Sequence, residues 1–170
     1  QSLEYGINFF DTAEMYPTCP LRAETTGNTE IIIGNWIEKN KSKRPDIILA
    51  SKISGKGYKA VRNGEGINEK SIKIAIESSL KKLKTDYLDL YQLHWPNRGS
   101  YHFRQNWNYN PTTQDTETAK ENILQVLKAL SDIQKEGKIR YIGLSNETCW
   151  GTTQFIHYLK EFPNLTLAST

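Results

Sequence analysis

The sequence predicts an α/β fold in which helices flank a parallel sheet. Short apolar runs typical of buried strands alternate with longer segments whose apolar residues recur at helical spacing. Each predicted strand but the last is followed by a predicted helix, which is a connection that parallel strands commonly use. We therefore expect four strands and the beginning of a fifth in one sheet.

The first predicted elements are a helix end, a strand and a helix. Residues 2–5 suit the last turn of a helix that Gly6 caps, and residues 7–10 suit a buried strand. A helix over residues 29–40 follows, with Asn28 as its N-cap. Its apolar residues are predicted to form one buried stripe: Ile32, Ile33, Trp36 and Ile37.

The second and third strands are predicted over residues 47–50 and 87–93. Between them lie a glycine-rich loop over residues 54–66 and a helix over residues 69–84. The inward positions of this helix follow a helical period: Ile72, Ile76, Leu80 and Leu83. The pattern completes a second strand–helix unit.

The remaining elements continue the same alternation. A helix over residues 118–136 ends at Gly137, and a strand over residues 139–144 follows it. The inward positions of the helix are Ile123, Val126, Leu127, Leu130 and Ile133. A helix over residues 150–162 then precedes a strand that begins near Leu165.

Two architectures can hold such a sheet, a doubly wound sheet and a barrel. A dinucleotide-binding doubly wound sheet is expected to carry G-x-G-x-x-G after a strand. The glycines of the second loop lack that spacing: Gly55, Gly57, Gly64 and Gly66. We therefore predict a (β/α)8 TIM barrel. Because a complete barrel takes about 250 residues, residues 1–170 are expected to be a single incomplete barrel domain.

Composition and charge indicate which partners to expect. The formal net charge is only +3 and the basic residues are scattered, so nucleic acid is not an expected partner. Cys19 and Cys149 are too few and too far apart for a disulfide framework or a zinc site, which favours a reducing, cytoplasmic compartment. No apolar run approaches the roughly 20 residues that span a bilayer, so no membrane partner is expected.

Ionisable side chains stand at the ends of three predicted strands. Asp11 follows the first strand, and Tyr16 comes five residues later. Lys52 and His94 end the second and third strands. Because the active site of a barrel lies at the carboxyl ends of its strands, these four side chains are predicted to form one site. Each residue also has a structural alternative. Asp11 could cap a helix or turn, Tyr16 could pack on the surface, Lys52 could be a solvated lysine and His94 could be a hydrogen-bonded core histidine.

Four sequence motifs together resemble those of a known family. They are FDTAEMY at residues 10–16, SK at 51–52, DYLDLYQLHWP at 86–96 and GKIRYIGLSNE at 137–147. In this order the chain resembles the aldo-keto reductases, most closely their Tas-like branch. The resemblance implies a (β/α)8 barrel that reduces aldehydes and ketones to alcohols with NADP(H). On its alignment the chain covers roughly strands 2 to 5 and the start of strand 6.

The resemblance implies a catalytic set of Asp11, Tyr16, Lys52 and His94. Carbonyl reduction needs a proton for the oxygen as well as a hydride for the carbon, and Tyr16 is the predicted proton donor. Lys52 is expected to favour the phenolate, because an ammonium about 4 Å away contributes about 4 kcal/mol at an effective dielectric near ~20. Asp11 is expected to hold Lys52 charged, and neutral His94 to hydrogen-bond the substrate oxygen.

Other residues are predicted to bind ligands. Ser145 and Asn146 follow the fourth predicted strand, and the resemblance implies that they hold the nicotinamide carboxamide of NADP(H). Alternatively, one of them caps the next helix. Trp95 and the long loop after the third strand, with Phe103 and Trp107, are predicted to line the pocket of a small-molecule carbonyl substrate. Alternatively, the aromatic side chains of this loop pack the loop against the barrel.

Two other functions are compatible with these residues. The first is a non-catalytic NADP(H)-binding regulatory subunit of the same fold, which could keep all four catalytic residues. The second is a metal-dependent barrel hydrolase that uses Asp11 and His94, although the sequence offers no second histidine near a strand end and no His-x-His pair. The oligomeric state is not predicted.

Overall fold

The computed structural model describes residues 1–103 and 105–170 and confirms the α/β class. Its strands within these residues are β1 (Phe9–Asp11), β2 (Ile48–Ile53), β3 (Leu88–Leu93), β4 (Ile139–Leu144) and β5 (Leu167–Ser169). They pair in parallel in the order β1-β2-β3-β4-β5, so each strand lies beside the next one along the chain. This strand order is that of a partial (β/α)8 barrel, as predicted.

Helices follow the first four strands: α1 (Asn28–Lys39), α2 (Glu69–Leu83), α3 (Thr116–Lys135) and α4 (Cys149–Tyr158). Asn68 caps α2 in a capping box with Ser71, and Asp115 caps α3. The predicted inward positions of α2 and α3 are all buried in the main core: Ile72, Ile76, Leu80, Leu83, Ile123, Val126, Leu127, Leu130 and Ile133. None of the described helices combines the length and apolar character needed to cross a membrane.

The prediction for α1 is wrong at its start and on its buried face. Gly27, with a left-handed backbone at φ 85°, precedes the helix, so Asn28 is its first residue and not its cap. Ile32 is 68% exposed and Trp36 is also exposed, although both were expected in the buried stripe. Of that stripe, only Ile37 is fully buried.

A polar contact explains why α1 turns another face inward. Its buried residues besides Ile37 are Glu30 and Gly34. Glu30 Oε1 accepts a hydrogen bond of 2.6 Å from Ser51 Oγ, and its Oε2 lies 3.3 Å from Lys82 Nζ. At Gly34 an added Cβ would lie 2.0 Å from the Lys82 carbonyl oxygen, so only glycine permits this approach of α1 to α2.

The two faces of the sheet carry different side chains. Strand register places Leu49, Tyr91 and Ile142 on the face that packs against the helices. The opposite face, here called the inner face, carries alternate residues of the strands. Its members include Phe9, Asp11, Ile48, Lys52, Gln92 and Tyr141. The polar members of this set lie towards the carboxyl ends of the strands.

Candidate active site

The carboxyl ends of β1, β2 and β3 bring the four predicted catalytic side chains together. Asp11 ends β1, Lys52 lies one residue before the end of β2, and His94 follows β3 directly. Tyr16 reaches the same place from the loop after β1, which turns back where Tyr16 N donates to the Ala13 carbonyl at 3.1 Å. The structure therefore assembles the set that the sequence predicted.

Lys52 and Asp11 form a close ion pair within this site. Lys52 Nζ lies 2.5 Å from Asp11 Oδ2 and donates to the Thr12 carbonyl oxygen at 2.9 Å. The same ammonium lies 5.0 Å from the centroid of the Tyr16 ring. The Lys52 side chain is buried, whereas the Asp11 side chain is 45% exposed. Lys52 is thus held from one side and faces the phenol on the other.

His94 contacts Tyr16 and is buried. Its Nε2 lies 3.5 Å from the Tyr16 hydroxyl oxygen, and the two rings meet edge to face with centroids 5.5 Å apart. Burial, followed by the Lys52 charge, lowers the pKa of His94 to about 4 against the opposing effect of Asp11. This supports the neutral ring that the sequence analysis expected, because such a ring titrates well below pH 7.

Acidification is expected to destabilise the protein through His94. Its folded pKa lies below the ordinary value of 6.5, so between pH 6.5 and 4 the unfolded chain binds more protons than the folded one. The contribution of neutral His94 to the free energy of unfolding is complete above pH 6.5 and is lost as the pH falls towards 4. Because one unit of pKa shift corresponds to about 1.4 kcal/mol, the total loss is up to about 3 kcal/mol.

Urea unfolding of the wild type and of His94→Gln at several pH values measures this effect. The difference in unfolding free energy between the two proteins should change across the window from pH 6.5 to 4. Two stability curves that run parallel over that window would contradict the burial of a neutral His94.

The pKa of Tyr16 is raised, which corrects the expectation that Lys52 lowers it. Burial of the phenol is the larger cause, and the negative charge of Asp11 is the second. Lys52 does not reverse the shift because Asp11 lies much closer to its ammonium than the Tyr16 ring does. Tyr16 is therefore a protonated phenol at neutral pH, which is the state that a proton donor needs.

A buried ion pair joins the Tyr16 loop to the glycine-rich loop after β2. Glu14 Oε2 accepts a hydrogen bond from Arg62 Nη1, and Glu14 Oε1 accepts one of 2.5 Å from Ser54 N. Arg62 Nη2 also donates to the Ser54 carbonyl at 2.9 Å. Burial raises the pKa of Glu14 against the opposing charge of Arg62. No sequence pattern indicates this pair, because Arg62 lies 48 residues beyond Glu14 and outside the recognised motifs.

Ser145 and Asn146 lie beside His94 at the end of β4. Ser145 N donates to the Leu93 carbonyl at 2.9 Å. Asn146 Nδ2 donates to the His94 carbonyl at 2.8 Å and to Ser145 Oγ at 3.0 Å. Neither residue caps α4, because Thr148 does so by accepting a hydrogen bond from the Gly151 amide. The alternative reading of Ser145 and Asn146 as caps is therefore wrong.

The predicted substrate residues separate into two groups. The rings of Trp95 and Phe103 lie 4.9 Å and 6.5 Å from the His94 ring, centroid to centroid, and 5.3 Å from each other. Both line a cavity of about 1290 Å³ beneath the loop after β3, which Met15 also lines. Trp107 is 91% exposed and lies outside that lining, so the structure does not bring it to the site.

Within residues 1–103 and 105–170, no group of three or more His, Cys, Asp or Glu side chains is placed to hold a metal ion. Cys19 and Cys149 are both exposed and free.

The family of the chain follows from comparison with known proteins. The profile of the Aldo/keto reductase family matches residues 1–168, so the chain belongs to this family, as the motifs predicted. It is 46% identical over 155 residues to Protein tas of Escherichia coli strain K12, covering 89% of this chain and 43% of that protein. This relative agrees with the predicted Tas-like branch.

Two further comparisons agree with the assignment. Norsolorinic acid reductase B of Aspergillus parasiticus is 29% identical over 163 residues, covering 93% of this chain and 35% of that protein. The crystal structure of a thermostable aldo-keto reductase in complex with the inhibitor epalrestat matches with a TM-score of 0.62 and 27% identity, covering 92% of this chain and 43% of that one. The chain thus spans less than half the length of these relatives.

Proposed function

We propose that the whole protein reduces aldehyde or ketone carbonyls to alcohols with NADP(H), and that Tyr16 donates the proton to the carbonyl oxygen. One observation carries this proposal: the Tyr16 phenol lies between the His94 ring and the Lys52–Asp11 ion pair at the carboxyl ends of the strands. Membership of the Aldo/keto reductase family supports the oxidoreductase class.

Each side chain has a defined task in this reaction. Tyr16 keeps its proton until negative charge develops on the substrate oxygen, since its raised pKa prevents earlier loss to solvent. Lys52, whose ammonium lies 5.0 Å from the centroid of the Tyr16 ring, then stabilises the phenolate that forms. Asp11 keeps Lys52 in that position. His94, as a neutral ring, donates a hydrogen bond to the substrate oxygen and orients it towards the phenol.

Ser145 and Asn146 fit the carboxamide of a nicotinamide. A carboxamide needs both an acceptor and a donor from the protein, and the Ser145 hydroxyl can donate while Asn146 Oδ1 can accept. Asn146 is held against the His94 carbonyl, so this pair lies next to the proposed proton-transfer site. When bound there, NADPH supplies the hydride for the carbonyl carbon.

The proposed activity is tested with the whole protein, NADPH and a panel of aldehydes and ketones. We expect NADPH oxidation that depends on the carbonyl and saturates with its concentration. A protein that binds NADPH but oxidises it with none of the carbonyls in the panel would contradict the proposal. That outcome would instead support a non-catalytic regulatory subunit.

The cavity predicts a preference for bulky aromatic carbonyls. Its lining includes the aromatic side chains of Tyr58, Trp95, Phe103 and Tyr109, and large apolar surfaces favour large apolar ligands. Phe103→Ala is expected to lower kcat/KM for a bulky aromatic aldehyde at least about tenfold more than for a small aliphatic one, since the loss of a single methylene-sized contact in an apolar pocket already has that value. NADPH affinity should not change.

Replacing Trp107 by alanine tests whether Trp107 lines the substrate pocket, as the sequence predicts, or lies outside it, as in the structure. Because Trp107 is exposed outside the cavity, Trp107→Ala should leave the selectivity between the two aldehydes as in the wild type. An equal loss of selectivity in both variants would show that the loop closes over the substrate differently. An unchanged selectivity in Phe103→Ala would show that the cavity does not bind the substrate.

A further inference from the structure

Gln92 is a buried amide on the inner face of β3 that reaches across to β1. Its Nε2 donates to Asp11 Oδ1 at 2.9 Å, while the other carboxylate oxygen of Asp11 pairs with Lys52 Nζ at 2.5 Å. An ionised carboxylate can only accept hydrogen bonds, so the amide must present its nitrogen to Asp11. The two oxygens of Asp11 therefore have separate and complementary partners.

The strand register makes room for this contact. Gln92 pairs with Lys52 on β2 and with Gly143 on β4, so the three residues occupy one level of the inner face. A Cβ added at Gly143 would lie 2.3 Å from Ser169 Oγ and 2.9 Å from Gln92 Cγ. The missing side chain on β4 thus leaves space that the Ser169 and Gln92 side chains share, and from there the Gln92 amide extends past β2 to the end of β1.

We propose that Gln92 is a positioning residue, which holds the Asp11 carboxylate in the orientation that keeps Lys52 beneath the Tyr16 ring. The Asp11 side chain is 45% exposed and could turn towards solvent, whereas Gln92 is only 8% exposed and fixed by the strand. A hydrogen bond from a buried amide to an ion is among the stronger ones in proteins. The inference rests on the proposed function, because it acts on turnover through Lys52 and Tyr16.

The first test is Gln92→Leu in the whole protein, which removes the donor and keeps an apolar side chain of similar size. The expected result is a loss of about tenfold in kcat, the value of one hydrogen bond to a charged group, with unchanged NADPH affinity. The matched control is Gln134→Leu, which removes an amide that donates to the Arg140 carbonyl and accepts from Asn164 Nδ2 near the amino end of β4, away from the site. The control should leave kcat unchanged.

Gln92→Glu distinguishes positioning from packing by its pH profile. A protonated glutamic acid can donate to Asp11 as the amide does, whereas an ionised one repels it; Asp11 and Lys52 are the charged groups that face this position. We expect kcat near the wild-type value at acidic pH and a fall as the pH rises that the wild type lacks. An equal loss at every pH would reduce Gln92 to a packing residue and overturn the proposal.

A measurement without turnover keeps this inference separate from the proposed function. Acetic anhydride labels free amines, and peptide mass spectrometry reports the labelling rate at Lys52. Without the Gln92 hydrogen bond Asp11 holds Lys52 less firmly, so Lys52 should be labelled at least about threefold faster in Gln92→Leu than in the wild type. In Gln134→Leu, Lys52 should be labelled at the wild-type rate. Equal rates in all three proteins would overturn the positioning role, whereas an inactive wild type would overturn only the proposed reductase activity.

Discussion

Replacing Tyr16 by phenylalanine is expected to lower kcat for carbonyl reduction at least about 100-fold, which is the contribution typical of a general acid. The substitution removes the hydroxyl group that lies 3.5 Å from His94 Nε2 and keeps the ring above Lys52. Cofactor affinity should stay close to that of the wild type, because the proposed nicotinamide contacts are Ser145 and Asn146. Steady-state kinetics and NADPH titration measure both quantities.

Tyr91 provides the matched control for this substitution. It lies on β3, three residues before His94, and its fully buried hydroxyl has no hydrogen-bond partner among the described residues. Tyr91→Phe therefore removes the same atom without a hydrogen bond being lost, and kcat should not change. Wild-type turnover in a correctly folded Tyr16→Phe protein would show that another group donates the proton.

Replacing Lys52 by methionine is expected to lower kcat by about tenfold. The Lys52 ammonium lies 5.0 Å from the centroid of the Tyr16 ring, where a positive charge alone would stabilise the forming phenolate by about 3 kcal/mol at an effective dielectric of about 20. Because Asp11 pairs with the ammonium, only about half of that stabilisation is expected to remain, which corresponds to about one power of ten in rate. Methionine keeps the length of the side chain, so the change removes mainly the charge.

The control for Lys52→Met is Lys73→Met on the outer surface of α2. Lys73 pairs with Glu69 one turn earlier and is exposed, so its loss should leave turnover unchanged. Because the phenolate loses its stabilising charge only in Lys52→Met, that variant should be impaired in the chemical step and not in NADPH binding. A rise in KM with unchanged kcat would contradict this account and would assign Lys52 to substrate binding.

The secondary structure was largely predictable where apolar residues alone form the core. The strand over Ile139–Leu144 agrees with its predicted bounds, and α2 and α3 bury the predicted aliphatic side chains. The prediction failed for α1 because its inner face carries Glu30 and Gly34. Hydrophobic periodicity cannot indicate a buried carboxylate whose partners lie on β2 and α2, far along the chain.

The meeting of the four proposed catalytic residues was predictable because Asp11, Lys52 and His94 stand at the ends of strands in a parallel sheet and Tyr16 lies in the loop that follows the first of them. Their charges were less predictable, since the pKa of Tyr16 depends on its burial and on the nearby charge of Asp11, and no sequence pattern contains either quantity. The role of Gln92 was also hidden. Although it lies within one of the recognised motifs, only the register of the strands shows that its amide reaches β1.

The most direct test of the central claim, carbonyl reduction by hydride transfer, uses NADPH deuterated on the transferable side of the nicotinamide. The whole protein is incubated with this cofactor and an aromatic aldehyde, and the alcohol is analysed by mass spectrometry. The account predicts one deuterium on the alcohol carbon in the wild type and a much slower appearance of the same product in Tyr16→Phe. An alcohol without deuterium, or no alcohol from a protein that binds NADPH, would contradict it.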